Sequence, residues 1–271
     1  MSNPVVITGA SGFVGQVLLS CLRREGVSVI GTTRRRQPGL TAVADYADTP
    51  VPEGAVLVHL AQRRDRSAPI DNSEIALCRM LAEKPWRHIV YASSAIVYGE
   101  GGVRPRRSDE SVSPPSDYAR LKLACEEAFS KVGGTSLRLA NLYGPGMGKN
   151  TVIADILHQI PGEGPLRLRD PAPVRDFLWI EDAARCLAAA CRIMPGGTFN
   201  AGSGRGVAVG DIARLALALA GEGSRPVIAE NAEDRSSNLT LDISETCSKL
   251  GWWPQIELST GLAILLSGAR R

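Results

Sequence analysis

Short apolar runs alternate with stretches of helical periodicity through the first half of the chain. Pro4–Thr8 (PVVIT) reads as a strand. Val14, Val17, Leu18, Cys21 and Leu22 then recur at helical spacing, and Gly26 closes that helix. Val27–Thr32 is a second strand and Ala55–Leu60 (AVLVHL) another, followed by a helix over Ser73–Ala82. His88–Ala92 is again a strand, Asp117–Lys131 a helix stopped by Gly133-Gly134, and Ser136–Leu139 a further strand. The strands are mostly apolar rather than strictly alternating, as expected where both faces of a sheet are covered. Strand–helix alternation of this kind predicts an α/β fold, a doubly wound parallel sheet of Rossmann type.

After Asn141 the pattern changes. Tyr143–Lys149 and Pro161–Val174 are rich in Gly, Pro and Arg and read as loops rather than sheet. Ile180–Cys191 is helical and Thr198–Ala201 is a strand returning to the sheet. Val209–Ala220 is a helix, another follows Asp242, and a last apolar helix lies near Leu258–Leu266. The simplest account has two parts. Residues 1–141 plus about 176–203 would form the dinucleotide-binding domain, and residues about 142–175 plus 204–271 a small α/β C-terminal substrate lobe.

Composition narrows the class without naming a chemistry. The 271 residues are 44% hydrophobic and 22% charged, with a net charge of +3, too small to imply nucleic acid or membrane as partner. No apolar stretch approaches the ~18 residues of a membrane span. The N-terminus has no basic head or cleavage site, so a cytoplasmic location without a signal peptide is expected. The six cysteines are scattered without a CxxC, which predicts reduced thiols. His59, His88 and His158 lack ligand spacing, so no metal is expected.

Two segments carry candidate chemistry. Thr8-Gly9-Ala10-Ser11-Gly12-Phe13-Val14-Gly15 joins the first strand to the first helix. Gly9 suits a tight turn, Gly12 lets backbone approach a pyrophosphate, and Gly15 lets helix pack on strand; the helix N-terminus supplies N–H groups to the anion. The second strand ends in Thr32-Thr33-Arg34-Arg35-Arg36, where an NAD site usually carries an acid for the adenosine ribose. Cations there attract a 2′-phosphate, so NADP is favoured over NAD, with Arg34 the leading contact and Arg35 second. The competing reading is that part of this run is merely solvated surface.

The other segment is Tyr118-Ala119-Arg120-Leu121-Lys122, with Tyr and Lys at i and i+4 on one helix face. An ammonium one turn away favours phenolate, which makes Tyr118 a usable general acid/base; the alternative is an exposed pair without chemistry. Ser93 and Ser94 sit where a strand reaches the carboxyl edge of the sheet, the edge at which open α/β sheets bind ligands. A serine there can hydrogen-bond a substrate oxygen or simply cap the next turn.

Together these motifs resemble the extended short-chain dehydrogenase/reductases, the nucleotide-sugar epimerase/dehydratase/reductase family. The likeness runs nearly end to end. TGASGFVG (8–15), VHLA (58–61), Asn72, SSAIVYG (93–99), YARLK (118–122), LRLANLYGPG (137–146), RDFLWIEDAA (175–184), FNAGSG (199–204) and LGWWP (250–254) occur in order. The resemblance implies that Tyr118 exchanges a proton with the sugar oxygen, that Lys122 holds the nicotinamide ribose, and that Ser94 is the catalytic serine, with Ser93 the alternative. It also implies cofactor contacts along Gly9, Ser11, Gly12, Phe13, Val14 and Gly15 and at Leu60 and Ala61, with Asp45 near the adenine. Asn141 and Arg175 would hold the substrate diphosphate, and Arg235 would be a further phosphate contact. A salt bridge with Asp176 or Asp182 is the structural alternative for Arg175. The family's habit of pairing through two helices per subunit implies a homodimer, and Ala119, Ala124 and Ala128 would permit close packing.

Within that family, dehydratases carry an Asp-Glu pair directly after the catalytic Ser/Thr; Ala95 and Ile96 stand there instead, so elimination lacks its acid/base pair. The Cys and His of GDP-fucose synthase-like enzymes are also missing, Thr151 lying near the position of the His. What remains is an NADPH-dependent 4-keto-6-deoxyhexose reductase acting on a nucleotide-diphosphate sugar. A nucleotide-sugar 4-epimerase, a reductase of a non-sugar carbonyl and a non-catalytic NADP-binding regulator are the alternatives.

Overall fold

The apolar run that begins after Pro4 becomes an interior strand of the main sheet. In the computed structural model, which describes residues 3–62, 72–102, 104–231 and 237–269, β1 (Val5–Thr8) is buried at every position. The strands that follow are β2 (Val29–Thr33), β3 (Thr41–Ala42), β4 (Val56–His59), β5 (His88–Ser94) and β6 (Thr135–Leu139). Short strands β7 (Asn141–Tyr143), β8 (Leu166–Leu168) and β9 (Val174–Trp179) precede β10 (Gly197–Ala201), and β11 (Gly206–Ala208), β12 (Val227–Ala229) and β13 (Asn238–Leu239) complete the set.

The main sheet runs β10-β6-β5-β4-β1-β2-β3, and each neighbouring pair is parallel. In chain order the helices are α1 (Phe13–Arg24), α2 (Asn72–Ala82), α3 (Asp117–Ser130), α4 (Val152–His158), α5 (Ile180–Ile193), α6 (Val209–Ala220), α7 (Ser244–Leu250) and α8 (Leu258–Ala269). The pair α1 and α5 covers one face, and α2 and α3 the other. Chain order reverses between β1 and β4, as it must when strands grow outward from β1 in both directions, and this opens the crevice at the carboxyl edge where a dinucleotide fits. The expected Rossmann-type doubly wound sheet is therefore present.

The second half holds more strand than its composition suggests. Leu166–Leu168, within a Gly/Pro/Arg-rich stretch expected to be loop, pairs in parallel with β12. β9 starts at Val174 and accepts β7, β13 and, antiparallel, β11. The reason is tertiary: Leu166 and Leu168 point into a second core with Tyr143, Ile153, Ile156, Trp179, Ile212 and Leu217, and that burial outweighs a turn-rich composition. Leu239, Leu241, Leu250 and Trp252 pack instead into the main core beside α5 and β10. All six cysteines are free, five of them buried. Among the described residues no helix is long and apolar enough to cross a membrane, and none form a cluster able to hold a metal ion.

Candidate active site

The glycine turn is built by close approach. Gly9 has φ +71°, and a Cβ on it would lie 2.8 Å from the backbone nitrogen of Ala61, so this turn and the segment after β4 fit only with glycine here. A Cβ on Gly15 would lie 2.7 Å from Cα of Ala10, which seats α1 directly on the turn. Gly12 donates its N–H to the carbonyl oxygen of Gly9 at 2.9 Å and caps α1. The helix has neither a side-chain cap nor an acidic residue in its first turn, which begins with Phe13 and Val14. Such a helix end accepts an anion, and the backbone shape fits a dinucleotide pyrophosphate. Leu60 donates to the carbonyl oxygen of Thr8 at 3.2 Å and, with Ala61, walls the same cleft.

At the end of β2 the hydroxyls of Ser11 and Thr33 hydrogen-bond at 3.0 Å, and the backbone N–H of Arg35 reaches Thr33 Oγ1 at 3.3 Å. Arg34, Arg35 and Arg36 are all exposed. The Arg34 guanidinium lies 5.6 Å from the centroid of the Tyr46 ring, a cation–π contact at the end of β2. Asp45 uses its carboxylate to cap the 3-10 turn at Tyr46–Asp48, accepting from Ala47 N–H at 2.8 Å.

Beneath the opposite half of the cleft, α3 carries Tyr118 and Lys122 across β5. Ser116 caps the helix through Ala119 N–H. Lys122 is 4% exposed and donates from Nζ to the carbonyl oxygen of Ala92 at 2.6 Å. Its ammonium lies 4.8 Å from the Tyr91 ring centroid and 5.8 Å from that of half-buried Tyr118. β5 ends at Ser94, whose Oγ accepts from Ile96 N–H at 3.4 Å as the chain enters the 3-10 turn Ala95–Tyr98. Ser93 faces the other way: buried, it donates its hydroxyl to the Glu126 carboxylate.

That carboxylate belongs to a network the sequence reading missed. Arg138, in the middle of the wholly buried β6, grips Glu126 through Nη2 at 2.8 Å and Nε at 3.1 Å, and its guanidinium lies 4.8 Å from the Tyr98 ring centroid. Tyr98 donates to Asn200 Oδ1 at 2.6 Å, and Asn200 donates to the carbonyl oxygens of Arg106 and Asp242. The network ties together α3, β5, β6 and β10, entering β5 at Ser93, the neighbour of Ser94. His59 is a second missed residue. It shares a 2.8 Å hydrogen bond with Thr8, stacks on Tyr91, and burial pushes its imidazole down to about 3, with the Lys122 charge lowering it further.

Of the residues expected to hold a diphosphate, Asn141 is exposed and donates to the carbonyl oxygen of Asp176 at 3.3 Å. Arg175 pairs with neither Asp176 nor Asp182. Its ion pair is with Glu100, at 2.8 Å. Asp176 is instead buried beneath Ser203, Gly204 and Leu241, which donate to it, and Asp182 accepts from Gln255 and Ile256 N–H. Arg235 lies outside the described residues.

A parallel sheet with a glycine cradle after its first strand and a Tyr–Lys pair beside the end of β5 defines a nicotinamide-dependent enzyme of the short-chain dehydrogenase/reductase class. The chain belongs to the NAD dependent epimerase/dehydratase family, whose model matches residues 5–202. It is 27% identical to dTDP-L-rhamnose 4-epimerase of Burkholderia thailandensis over 96% of this chain and 73% of that protein. It is 22% identical to dTDP-4-dehydro-6-deoxyglucose reductase of Escherichia coli, over 99% and 98% of the two chains. The crystal structure of UDP-N-acetylglucosamine 4-epimerase from Bacillus cereus superposes with a TM-score of 0.84 at 25% identity, covering 100% of both chains.

Proposed function

We propose that this chain is an NADPH-dependent reductase of the keto group on a nucleotide-diphosphate 4-keto-6-deoxysugar. The observation that carries the reading is the end of β2, where two threonines and three exposed arginines stand in place of a ribose-binding acid. Exposed guanidinium groups following Thr33, whose hydroxyl bonds that of Ser11, suit a dianionic 2′-phosphate better than a ribose 2′-hydroxyl. A cofactor exchanged after each turnover suits a reductase; an epimerase returns its hydride and has no need to release the dinucleotide.

The bound nicotinamide supplies hydride to the carbonyl carbon. This chain's residues manage the oxygen and its proton. The Tyr118 phenol donates the proton that converts carbonyl oxygen to hydroxyl, and Ser94 Oγ steadies that oxygen by a hydrogen bond. Ser94 is preferred to Ser93 because the Ser93 hydroxyl is buried on Glu126. Lys122, fixed on Ala92 O beside the Tyr118 ring, holds the ribose and presents a cation to the phenol. Asn141 and Arg175 take the diphosphate, with Arg235 as a further contact. The non-polar side chains of Ala95 and Ile96 leave no carboxylate to abstract a proton from the sugar ring, which argues against dehydration.

A 4-epimerase is the second reading, favoured by the names of the Burkholderia and Bacillus relatives. Titration with NADPH and NADH, followed by a panel of dTDP-, GDP- and UDP-4-keto-6-deoxysugars watched for absorbance loss, separates the two. A reductase binds NADPH more tightly and consumes it one for one with ketosugar. Co-purification with NAD and interconversion of C4 epimers without net consumption would establish the epimerase instead.

A further inference from the structure

The Arg175 guanidinium is fully engaged at both of its terminal nitrogens. Nη1 donates to the carbonyl oxygens of Val174, at 2.9 Å, and Ser237, at 3.0 Å. Nη2 donates to Ser237 Oγ at 2.8 Å and pairs with Glu100 Oε1 at 2.8 Å. Ser237 closes the ring by donating its hydroxyl to the other oxygen of Glu100. The cluster is partly shielded: the Arg175 side chain is 18% exposed and the Glu100 side chain 31%. It joins the chain just after the Ala95–Tyr98 turn to β9 and to the segment leading into β13.

A guanidinium grips a phosphate through two parallel N–H bonds. Each terminal nitrogen of Arg175 already has two oxygen partners, so a phosphate cannot take a two-pronged hold without displacing one of them. Val174 O belongs to the backbone of β9 and Ser237 O to the backbone leading into β13, where it accepts from Val174 N–H, so neither can leave cheaply. Glu100 can, because what holds Arg175 is a 31% exposed side chain set between Gly99 and Gly101-Gly102, and its other oxygen is held by the Ser237 hydroxyl, which can rotate away. A carboxylate that stayed would also stand against the incoming negative charge, and like charges brought together weaken binding.

We propose that Glu100 is a specificity-determining competitor: it occupies Arg175 in the empty site and sets the affinity for the substrate's diphosphate, which must displace it. This rests on the reading of the substrate as a nucleotide-diphosphate sugar. It adds that the diphosphate subsite is latched, so that affinity measured for the wild type is the intrinsic affinity diminished by the fraction of molecules in which Glu100 holds Arg175. Residues that merely brace the fold do not behave in this way, because removing a brace weakens binding while removing a competitor strengthens it.

The test is calorimetric titration of the full chain, saturated with NADPH, with dTDP, GDP and UDP. Wild type, Glu100→Gln, Ser237→Ala and Arg175→Gln are compared, with thermal unfolding run on each. Glu100→Gln should bind its preferred nucleoside diphosphate on the order of tenfold more tightly than wild type. Ser237→Ala should shift affinity in the same direction by less, and it carries the test if the glutamine variant unfolds. Arg175→Gln should weaken binding. Unchanged or weaker binding by folded Glu100→Gln and Ser237→Ala, with wild type binding normally, overturns the latch and leaves the substrate class standing. No binding of any nucleoside diphosphate by any of the four proteins overturns the substrate class and the latch with it.

Discussion

Lys122 Nζ donates a 2.6 Å hydrogen bond to the carbonyl oxygen of Ala92, two residues before Ser94, so one ammonium joins the helix that carries Tyr118 to the strand that ends at the serine. Its second face lies against Tyr91 and Tyr118. Lys122→Met keeps the stem and removes the charge. That variant should lose about 1–3 kcal/mol of stability from the unpaired buried carbonyl, and turnover on the order of 100-fold. Urea unfolding and initial-rate measurements check the two separately.

Arg34 should matter to one cofactor only. Arg34→Ala removes a cation from the 2′-phosphate position and should raise the Kd for NADPH about tenfold, one charge-assisted contact, while that for NADH stays nearly constant. Thr33→Asp restores an acid at the strand end and should turn the preference toward NADH. Fluorescence titration of both dinucleotides measures each ratio directly.

The Ser93–Glu126–Arg138 cluster is a buried charge pair under the site. Glu126→Ala leaves the guanidinium buried without its acid and should cost about 3–5 kcal/mol. The double variant Glu126→Leu, Arg138→Met removes both charges and should recover most of that loss. Denaturant midpoints of the two variants separate a pair that stabilises the fold from one whose absence is harmful only when half is left behind.

How much of this was legible beforehand depended on whether the signal was local. The strand–helix series depends on residues within a few positions of each other and read correctly: α6 spans Val209–Ala220 as expected, the glycine turn joins β1 to α1, and Tyr118 and Lys122 share α3. β8 did not read, because Leu166–Leu168 is a strand only by virtue of the core it enters and its partner, β12, some 60 residues on. The partners of Arg175 were equally hidden, since Glu100 and Ser237 lie 75 and 62 positions away. Arg138 did carry a warning: an arginine within TSLRL, an otherwise buried strand, demands an acid, and Glu126 lies one turn beyond Lys122 on the same helix.

His59 makes stability depend on pH in a definite sense. Burial pushes its imidazole down to about 3, whereas an unfolded histidine titrates near ~6.5. Below that value the unfolded chain binds a proton that the folded chain refuses, so stability is full above about pH 6.5 and falls as pH drops toward 3. The loss by pH 5 should be about 2 kcal/mol. His59→Gln should flatten this limb, which urea unfolding between pH 7.5 and 5 would reveal as a smaller shift in midpoint than wild type shows.

The phenol of Tyr118 is the proposed proton donor to the carbonyl oxygen, and Tyr118→Phe removes only its hydroxyl. NADPH consumption by wild type and variant, with a nucleotide-diphosphate 4-keto-6-deoxysugar that wild type reduces, tests the claim most directly. Loss of the proton donor should lower kcat at least about 100-fold with the Kd for NADPH unchanged. A Tyr118→Phe enzyme that turns over at the wild-type rate would contradict it.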